Sequence, residues 1–202
     1  MMTTSPPPPS SQEASAWAEA LIHSRRTTLP KRLVGPGPDP AQRQKILYAA
    51  AAAPDHDQLV PWRFIEIDTH QRDRLSLAFA QALLERDPAA DEQAQAMARE
   101  KAQRAPWLLL AVVCKGDEKA DVPDSERLLS LGAAVQNMLL QATAMGLGSS
   151  LTSGQAMPSR AIRQLFQLAP QEEAVCFINI GHVSEWKRPK ARPPLERYFS
   201  RL

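Results

Sequence analysis

The chain has 202 residues, of which 44% are hydrophobic and 23% are charged, the composition of a single globular domain with a hydrophobic core. A net charge of +2 and an aromatic content of 5% argue against nucleic-acid binding, which uses basic surfaces or aromatic stacking. The longest apolar run, Trp107 to Cys114, is far shorter than the ~20 residues that cross a bilayer. The N-terminus lacks the basic and apolar segments of a secretory signal, so we expect a cytoplasmic protein without a membrane partner.

The N-terminal part of the chain predicts a tail followed by two helices. Residues 1–12 are rich in Pro, Ser and Thr, and we expect them to be disordered because they can bury little apolar surface. Residues 13–202 then form one domain. A helix is predicted from Ala14 to Ser24, and a second begins after Asp39, which is placed to cap it, and ends near Ala53.

The middle of the chain predicts strands separated by charged helices. Trp62 to Asp68 has the β-branched and aromatic residues of a strand. Two helices are expected over about Gln71 to Glu85 and Pro88 to Gln103. The run from Trp107 to Cys114 is apolar throughout, which predicts a central strand buried on both faces.

A long helix is predicted from about Ser125 to Met145, with Asp124 as its N-cap. Apolar residues recur along it at alternating spacings of three and four, which is typical of a packed seam, and a second apolar set lies on another face. Such a helix must be covered on two sides, either as a central core helix or by a partner subunit. The seam consists of Leu128, Leu131, Val135, Met138, Ala142 and Met145.

The C-terminal third predicts a polar loop over Ser149 to Gly154, a short helix opened by Pro158, and a buried strand over Ala174 to Gly181. The basic, Pro-rich end from Lys187 to Arg201 is expected to be extended. Because helices and strands alternate without a regular β-α repeat, the predicted class is α+β, with a mixed sheet flanked by helices.

The usual catalytic motifs are absent from the sequence, and the four histidines lack the spacing of metal ligands, so no metal site is expected. Three polar segments remain. Arg25, Arg26 and Thr27 close the first helix, where they either stabilise the helix C-terminus or bind a phosphate through the arginines. The segments 54–58, which contains His56, and 151–154 are either solvated loops or parts of a site.

Taken together and in order, these segments resemble the nitroreductase family. The resemblance covers about Trp17 to the C-terminus and includes the arginine pair, the stretch AAPDHDQLVPWRF, the helix end GLGSSLTSG and the strand FINIGHV. The form with His56 after Pro54 and Asp55 is similar to a compact bacterial branch of NAD(P)H nitroreductases. The resemblance implies an α+β homodimer with a mixed sheet and with FMN bound between the subunits.

The resemblance also implies roles for particular residues. In that family the first arginine and the hydroxyl of the motif bind the FMN phosphate, and the second arginine lies near the ribityl chain or ring. The loop before Pro-Trp reaches the flavin of the other subunit, and the loop after the long helix lies along the flavin. A basic C-terminal residue, here Lys190 or Arg192, often completes the phosphate site. The implied FMN-binding residues are Arg25, Arg26, Thr27, His56, Leu151, Thr152, Ser153 and Arg192.

The sequence departs from the commoner family pattern at two places. The family loop reads P-S-x-x-N-x-Q-P-W, whereas this chain has Asp55, Gln58 and Val60 at the Ser, Asn and Gln positions. Leu29 occupies the position after the phosphate motif that is often basic in the family, with Lys31 or Arg32 as the available substitutes. These changes bear on the redox properties of the flavin and on the choice of substrate. They do not alter the expected fold or cofactor.

The resemblance implies an FMN-dependent NAD(P)H oxidoreductase with ping-pong kinetics. The hydride passes through flavin N5 to a nitroaromatic, a quinone or a similar small acceptor, and the cofactor rather than a side chain carries out the chemistry. The alternative from another class is a flavin- or ligand-binding dimer without turnover, such as a sensor or carrier. A third possibility is a protein-interaction module that uses the two-faced helix.

Overall fold

A computed structural model describes residues 10–116, 122–188 and 191–202. The described part of the chain contains six α-helices and five strands. The helices are α1 (Ser11–Ser24), α2 (Pro40–Ala50), α3 (Arg72–Arg86), α4 (Glu92–Glu100), α5 (Asp124–Ala144) and α6 (Arg160–Leu165). The strands are β1 (Leu33–Val34), β2 (Trp62–Glu66), β3 (Trp107–Cys114), β4 (Gly148–Thr152) and β5 (Glu172–Val183).

The five strands form one sheet in which β5 pairs with β3, β4 and β1, and β3 pairs with β2. Every one of these pairs is antiparallel. The expectation of a mixed sheet is therefore wrong. The parallel element within the described residues is a single bridge between Thr27 and Ser149. The α+β class itself is confirmed.

The sheet lies between two helical layers, and β3 is the centre of both cores. The bounds and the two-sided burial predicted for β3 are confirmed. Because side chains alternate along a strand, Trp107 and Leu109 pack with α2 and α5 on one face. Leu108 and Leu110 pack with α3 and α6 on the other face.

Helix α5 is a core helix of its own chain. The predicted seam residues Leu131, Val135 and Met138 are buried in the cluster that covers the sheet, so they are not available to a second subunit. The exposed apolar residues of α5 lie near its start: Leu128, the first residue of the predicted seam, is 45% exposed, and Leu129 is 72% exposed. The pattern therefore located the packed face correctly from Leu131 onward, and the surface open to a partner includes the first predicted seam residue.

The ends of two helices differ from the predictions because the capping residues differ. Asp124 is the first residue of α5 rather than its N-cap, which is Pro123, and the Asp124 carboxylate accepts from the N–H of Gly116 at 3.1 Å. Helix α1 begins at Ser11, inside the segment expected to be disordered. Ser10 caps it and forms a capping box with Glu13, which fixes the first turn.

Several other strands and helices begin or end at residues other than those predicted. The segment predicted as a polar loop over Ser149 to Gly154 begins with strand β4, since residues 149 and 150 are buried against β5 despite being polar. Strand β2 ends at Glu66, α2 ends at Ala50, and β5 extends beyond its predicted bounds at both ends. Helix α4 begins only after Asp91, which caps it. The C-terminal stretch, expected to be extended, contains a 3-10 turn over Leu195–Arg197.

Candidate functional site

The arginine motif lies at the end of α1 and is fixed against β4. Arg25 is the C-cap of α1, and its backbone N–H donates to the carbonyl of Leu21 at 3.2 Å. Thr27 then forms the parallel bridge with Ser149, and the N–H of Thr28 donates to the Ser149 carbonyl at 2.8 Å. The backbone of the motif is therefore held by regular hydrogen bonds on both sides.

Gly148 allows this close approach. A Cβ atom at this position would lie 2.5 Å from Cγ2 of Val183, 2.9 Å from Cδ2 of Leu33 and 3.0 Å from Oγ1 of Thr28. The two contacts to carbon are too short, and they come from strands that pair with each other. A side chain here would force Val183 and Leu33 to move and would crowd the hydroxyl of Thr28.

Three arginine side chains lie in or against this segment, and two of them contact backbone carbonyls. Nη2 of Arg192 donates to the carbonyl of Arg25 at 2.9 Å, and Nη1 of Arg26 donates to the carbonyl of Lys187 at 3.1 Å. Burial, followed by the charge of Arg192, lowers the pKa of Arg25 below its ordinary value. Within the described ranges none of the three forms an ion pair. An anion would relieve this repulsion and could be bound by forked, charge-assisted hydrogen bonds.

The other predicted residues of this region follow along β4. Leu151 is 44% exposed, and Ser153 is exposed just beyond the strand. Oγ1 of Thr152 accepts from Nδ2 of Asn179 at 3.0 Å. The same amide nitrogen also donates to the carbonyl of Ser150 at 3.2 Å. Asn179 thus holds the end of β4 against β5.

Two buried hydroxyl groups of β4 were missed by the sequence analysis. Ser149 and Ser150 are 1% and 3% exposed, and neither hydroxyl has a hydrogen-bond partner among the residues that the structure describes. Buried polar groups are rarely left unpaired, so these two hydroxyls are unusual within the sheet. The available signal was Asn179, an amide in the otherwise apolar strand FINIG, because it shows that this part of the sheet has polar neighbours.

The loop that contains His56 has a strained backbone. Asp57, Gln58 and Val60 have φ values of 56°, 55° and 46°, a region that is unfavourable for non-glycine residues and most of all for a β-branched one. The Asp55 carboxylate accepts from the N–H of Val60 at 2.7 Å and holds the loop together. Strain of this kind is concentrated at functional sites.

His56 itself is 55% exposed and contacts the first turn of α5. Its Nδ1 lies 2.9 Å from Oε2 of Glu126. The hydrogen bond with Glu126, together with the charge of Asp57, raises the pKa of His56 above its ordinary value. The ring therefore keeps its positive charge to a higher pH than a free histidine does.

The structure brings most of the predicted residues together and leaves one apart. The three arginines and Thr27 surround the start of β4, and residues 151–153 continue from it, whereas His56 lies at the opposite end of α5. Glu126, its partner, is separated from Ala144 at the helix end by roughly 27 Å at about 1.5 Å per residue. His56 therefore does not face the arginine cluster of its own chain. Lys190, the other basic candidate, lies outside the described residues.

The part of the chain that is described contains no group of three or more His, Cys, Asp or Glu side chains arranged to hold a metal ion. Burial raises the pKa of the Cys176 thiol to about 11, so this thiol stays protonated. None of the described helices combines the length and apolar character needed to cross a membrane.

These features agree with the comparisons with known proteins. A model of the nitroreductase family matches residues 22–182, and the chain therefore belongs to the nitroreductase family. Over 163 residues it is 36% identical to the Escherichia coli (strain K12) protein named "Putative NAD(P)H nitroreductase YdjA", covering 81% of this chain and 86% of that one. A protein from Haemophilus influenzae named "Putative NAD(P)H nitroreductase" is 32% identical over 165 residues, which cover 81% of this chain and 87% of that one.

Solved structures show the same fold. A nitroreductase-like family protein from Bacillus cereus superposes with a TM-score of 0.77 at 19% identity, covering 100% of this chain and 99% of that one. The NADPH:FMN oxidoreductase from Vibrio harveyi, solved in complex with NAD+, superposes with a TM-score of 0.70 at 17% identity, covering 91% of this chain and 76% of that one.

Proposed function

We propose that the protein is an FMN-dependent NAD(P)H oxidoreductase that works as a homodimer and reduces a small acceptor such as a nitroaromatic or a quinone. The observation that carries the proposal is the approach of the Arg25 and Arg192 guanidiniums to each other, next to Arg26 and β4, with no acidic partner for any of the three among the described residues. Such a group suits a phosphate monoester. The names of the relatives as NAD(P)H nitroreductases support the same class of reaction.

The residues around the cluster fit the rest of the cofactor. Arg25 and Thr27 bind the phosphate with help from Arg192, and Arg26 serves the ribityl chain or ring. Leu151, Thr152 and Ser153 lie along the flavin. The unpaired, buried Ser149 hydroxyl adds one more polar group beside Thr27.

When bound, FMN accepts a hydride from NAD(P)H and delivers electrons to the acceptor, chemistry that no side chain of the protein can supply. The protein binds and orients the cofactor through the residues named above. When protonated, His56 would add positive charge beside the bound cofactor. Because donor and acceptor use the same position in turn, we expect ping-pong kinetics.

The proposal of a homodimer follows from the position of His56. If His56 contacts a flavin, the flavin must belong to a second copy, because its own arginine cluster lies near the other end of α5. Exposed apolar side chains on α1 and α5 offer a contact surface for the second copy. Trp17 on α1 is 63% exposed, and Leu128 and Leu129 on α5 are also uncovered. Burying such side chains against a copy stabilises an obligate dimer.

An anaerobic titration of the purified protein with NADH and NADPH tests this function. We expect a yellow protein whose flavin absorbance bleaches on addition of at least one of the two nucleotides and returns on addition of a quinone. Bound flavin that neither nucleotide reduces would instead support a flavin-binding protein without turnover. A colourless protein that does not take up added FMN would contradict the whole proposal.

A further inference from the structure

Asn179 is a buried amide in an otherwise apolar strand. It lies on β5, between Leu108 of β3 and Ser150 of β4 in the sheet, and is 3% exposed. Ile178 and Ile180, on either side of it in the chain, are fully buried. Burying an amide costs free energy unless its polar atoms have partners. The partners of Asn179 therefore indicate what the residue does.

The nitrogen of the Asn179 amide has three acceptors within reach. Nδ2 lies 3.2 Å from the carbonyl of Ser150, 3.4 Å from the carbonyl of Phe177 and 3.0 Å from Oγ1 of Thr152. The first two are backbone carbonyls, which accept hydrogen bonds and cannot donate them. They fix the orientation of the amide, because turning it over would place Oδ1 against two other acceptors. Asn179 therefore faces Thr152 as a donor.

This orientation determines what the Thr152 hydroxyl can do. A hydroxyl that accepts from an amide keeps its own proton for a different acceptor. Within the described ranges, Asn179 is the one hydrogen-bond partner of this hydroxyl. Thr152 is exposed, and together with Asn179 it borders a cavity of about 490 Å³ between α3, α4 and the end of β4. The proton is therefore free for a molecule bound in front of β4.

Thr152 is separate from the phosphate anchor. Thr27 of the anchor bridges to Ser149, and Thr152 lies three residues further along β4, about 10 Å away at the rise of a strand. The contacts of Asn179 begin only after Ser149, at Ser150. A change at Asn179 or Thr152 therefore leaves the contacts of the anchor in place and affects another part of the site.

We propose that Asn179 is a positioning residue that acts through Thr152. It holds the Thr152 hydroxyl as a hydrogen-bond donor to the flavin ring and thereby raises the midpoint potential of the bound flavin. The inference rests on the proposed function, from which it takes the position of Thr152 along the flavin. The flavin ring carries more negative charge once it is reduced, and a donated hydrogen bond is stronger to a charged acceptor than to a neutral one. The hydroxyl keeps its proton throughout.

The first experiment changes the hydroxyl itself in the flavin-loaded protein. Thr152→Val keeps the branched shape and removes the donor, whereas Thr152→Ser keeps the donor. The midpoint potential is measured by equilibration with a reference dye, and the visible absorbance bands of the bound flavin are recorded. We expect a lower potential and shifted bands in Thr152→Val, and wild-type values in Thr152→Ser. FMN binding should weaken about fivefold in Thr152→Val, the usual effect of losing one hydrogen bond.

The second experiment tests whether Asn179 acts through Thr152. Asn179→Leu removes the amide at similar size and should lower the potential and shift the bands in the same direction as Thr152→Val. In the Thr152→Val background it should add no further shift, because the two residues act as one unit. Asn179→Ala, which does not crowd the sheet, is measured in parallel. Gln171→Leu, which removes an exposed amide just before β5, is the control and should match the wild type.

The outcomes separate this inference from the function on which it rests. A wild-type potential and wild-type bands in Thr152→Val would overturn the inference, while reduction of the flavin by NAD(P)H still supported the function. Additive shifts in the double variant would overturn it as well, because Asn179 would then act by another route. Failure of both Asn179 variants to fold would assign the amide to the fold alone. Wild-type flavin that NAD(P)H does not reduce contradicts the function itself, whatever the potentials are.

Discussion

The arginine cluster and the His56 loop are two candidate cofactor regions built in opposite ways. The cluster lies on regular structure: Arg25 caps a helix, and Thr27 is hydrogen-bonded in register with β4. The loop is held in a left-handed conformation, with the Asp55 carboxylate on the Val60 amide as a stabilising contact. The first arrangement provides a fixed anchor for a charged group. The second keeps exposed side chains in a strained conformation, which is useful where they must reach another molecule.

The two regions also lie at opposite ends of α5 within one chain. A monomer could use the cluster, but its His56 would then serve no flavin. A dimer that shares its sites uses both regions in each site. Whether two subunits share each site can therefore be tested through two groups of side chains that are changed separately.

Gly148→Ala should have the largest effect because it overpacks the side chains that meet β4 beside the anchor. The new Cβ would lie 2.5 Å from Val183, and overpacking of this kind costs about 1 to 3 kcal/mol. Chemical denaturation should show a lower free energy of unfolding, together with loss of flavin. Gly154→Ala is the control, since a Cβ at Gly154 meets nothing within 4 Å. Equal stabilities of the two variants would show that β4 does not need the close approach.

Arg25→Ala should break the anchor while leaving the backbone in place. Loss of a charge-assisted contact to the phosphate should weaken FMN binding by about 2 kcal/mol, as measured by fluorescence titration of the apoprotein. Arg160→Ala, which removes an exposed arginine at the start of α6, should bind FMN like the wild type. Full retention of tightly bound FMN by Arg25→Ala would remove this residue from the phosphate site.

Val60→Gly should test the strain in the loop. Strain at a non-glycine residue with positive φ costs about 1 to 3 kcal/mol. The entropic penalty of introducing glycine is smaller, about 0.5 to 1 kcal/mol. We expect the free energy of unfolding to rise by about 1 kcal/mol at this exposed position. Leu59→Gly, at a φ of −66°, should lower it. A decrease at both positions would mean that the loop is not strained.

The smallest expected effect is the pH-dependent contribution of His56 to the stability of the fold. Because its pKa is raised by Glu126 and Asp57, the protonated pair stabilises the fold below the ordinary histidine pKa. That contribution is lost as the pH rises through the raised value. Nuclear magnetic resonance titration should show the raised pKa in the wild type and a lower one in Glu126→Gln. An unchanged pKa in the variant would show that the pair does not form in solution.

Much of the fold could be predicted from the sequence because local signals and packing agree. Strand β3 has its predicted bounds, and Asp39 caps α2 as expected. Strand β4 was predicted as a loop, since Ser149 and Ser150 are polar and nothing local shows that β5 will bury them. The α5 seam was located correctly from Leu131 onward, but periodicity cannot tell a face covered by the same chain from one covered by a partner.

The site could be predicted only in part, for similar reasons. Arg25 and Arg26 are adjacent in the sequence and stand out, whereas Arg192 joins them only through the tertiary fold. The strain at Val60 could not be foreseen, because left-handed backbone is usually signalled by glycine. The hydrogen bond between His56 and Glu126 depends on how α2 and its loop pack on α5.

The most direct test of a shared site is complementation between two impaired variants. His56→Ala and Arg25→Ala chains carrying different affinity tags are co-expressed, and the heterodimers are purified for flavin and activity measurements. If each site takes His56 from one chain and Arg25 from the other, one site carries both lesions and the other carries neither. We therefore expect one tightly bound FMN per dimer and about half of the wild-type NAD(P)H-dependent activity, because the sites follow the two-fold symmetry of the dimer. Heterodimers no more active than the separate variants would contradict a shared site.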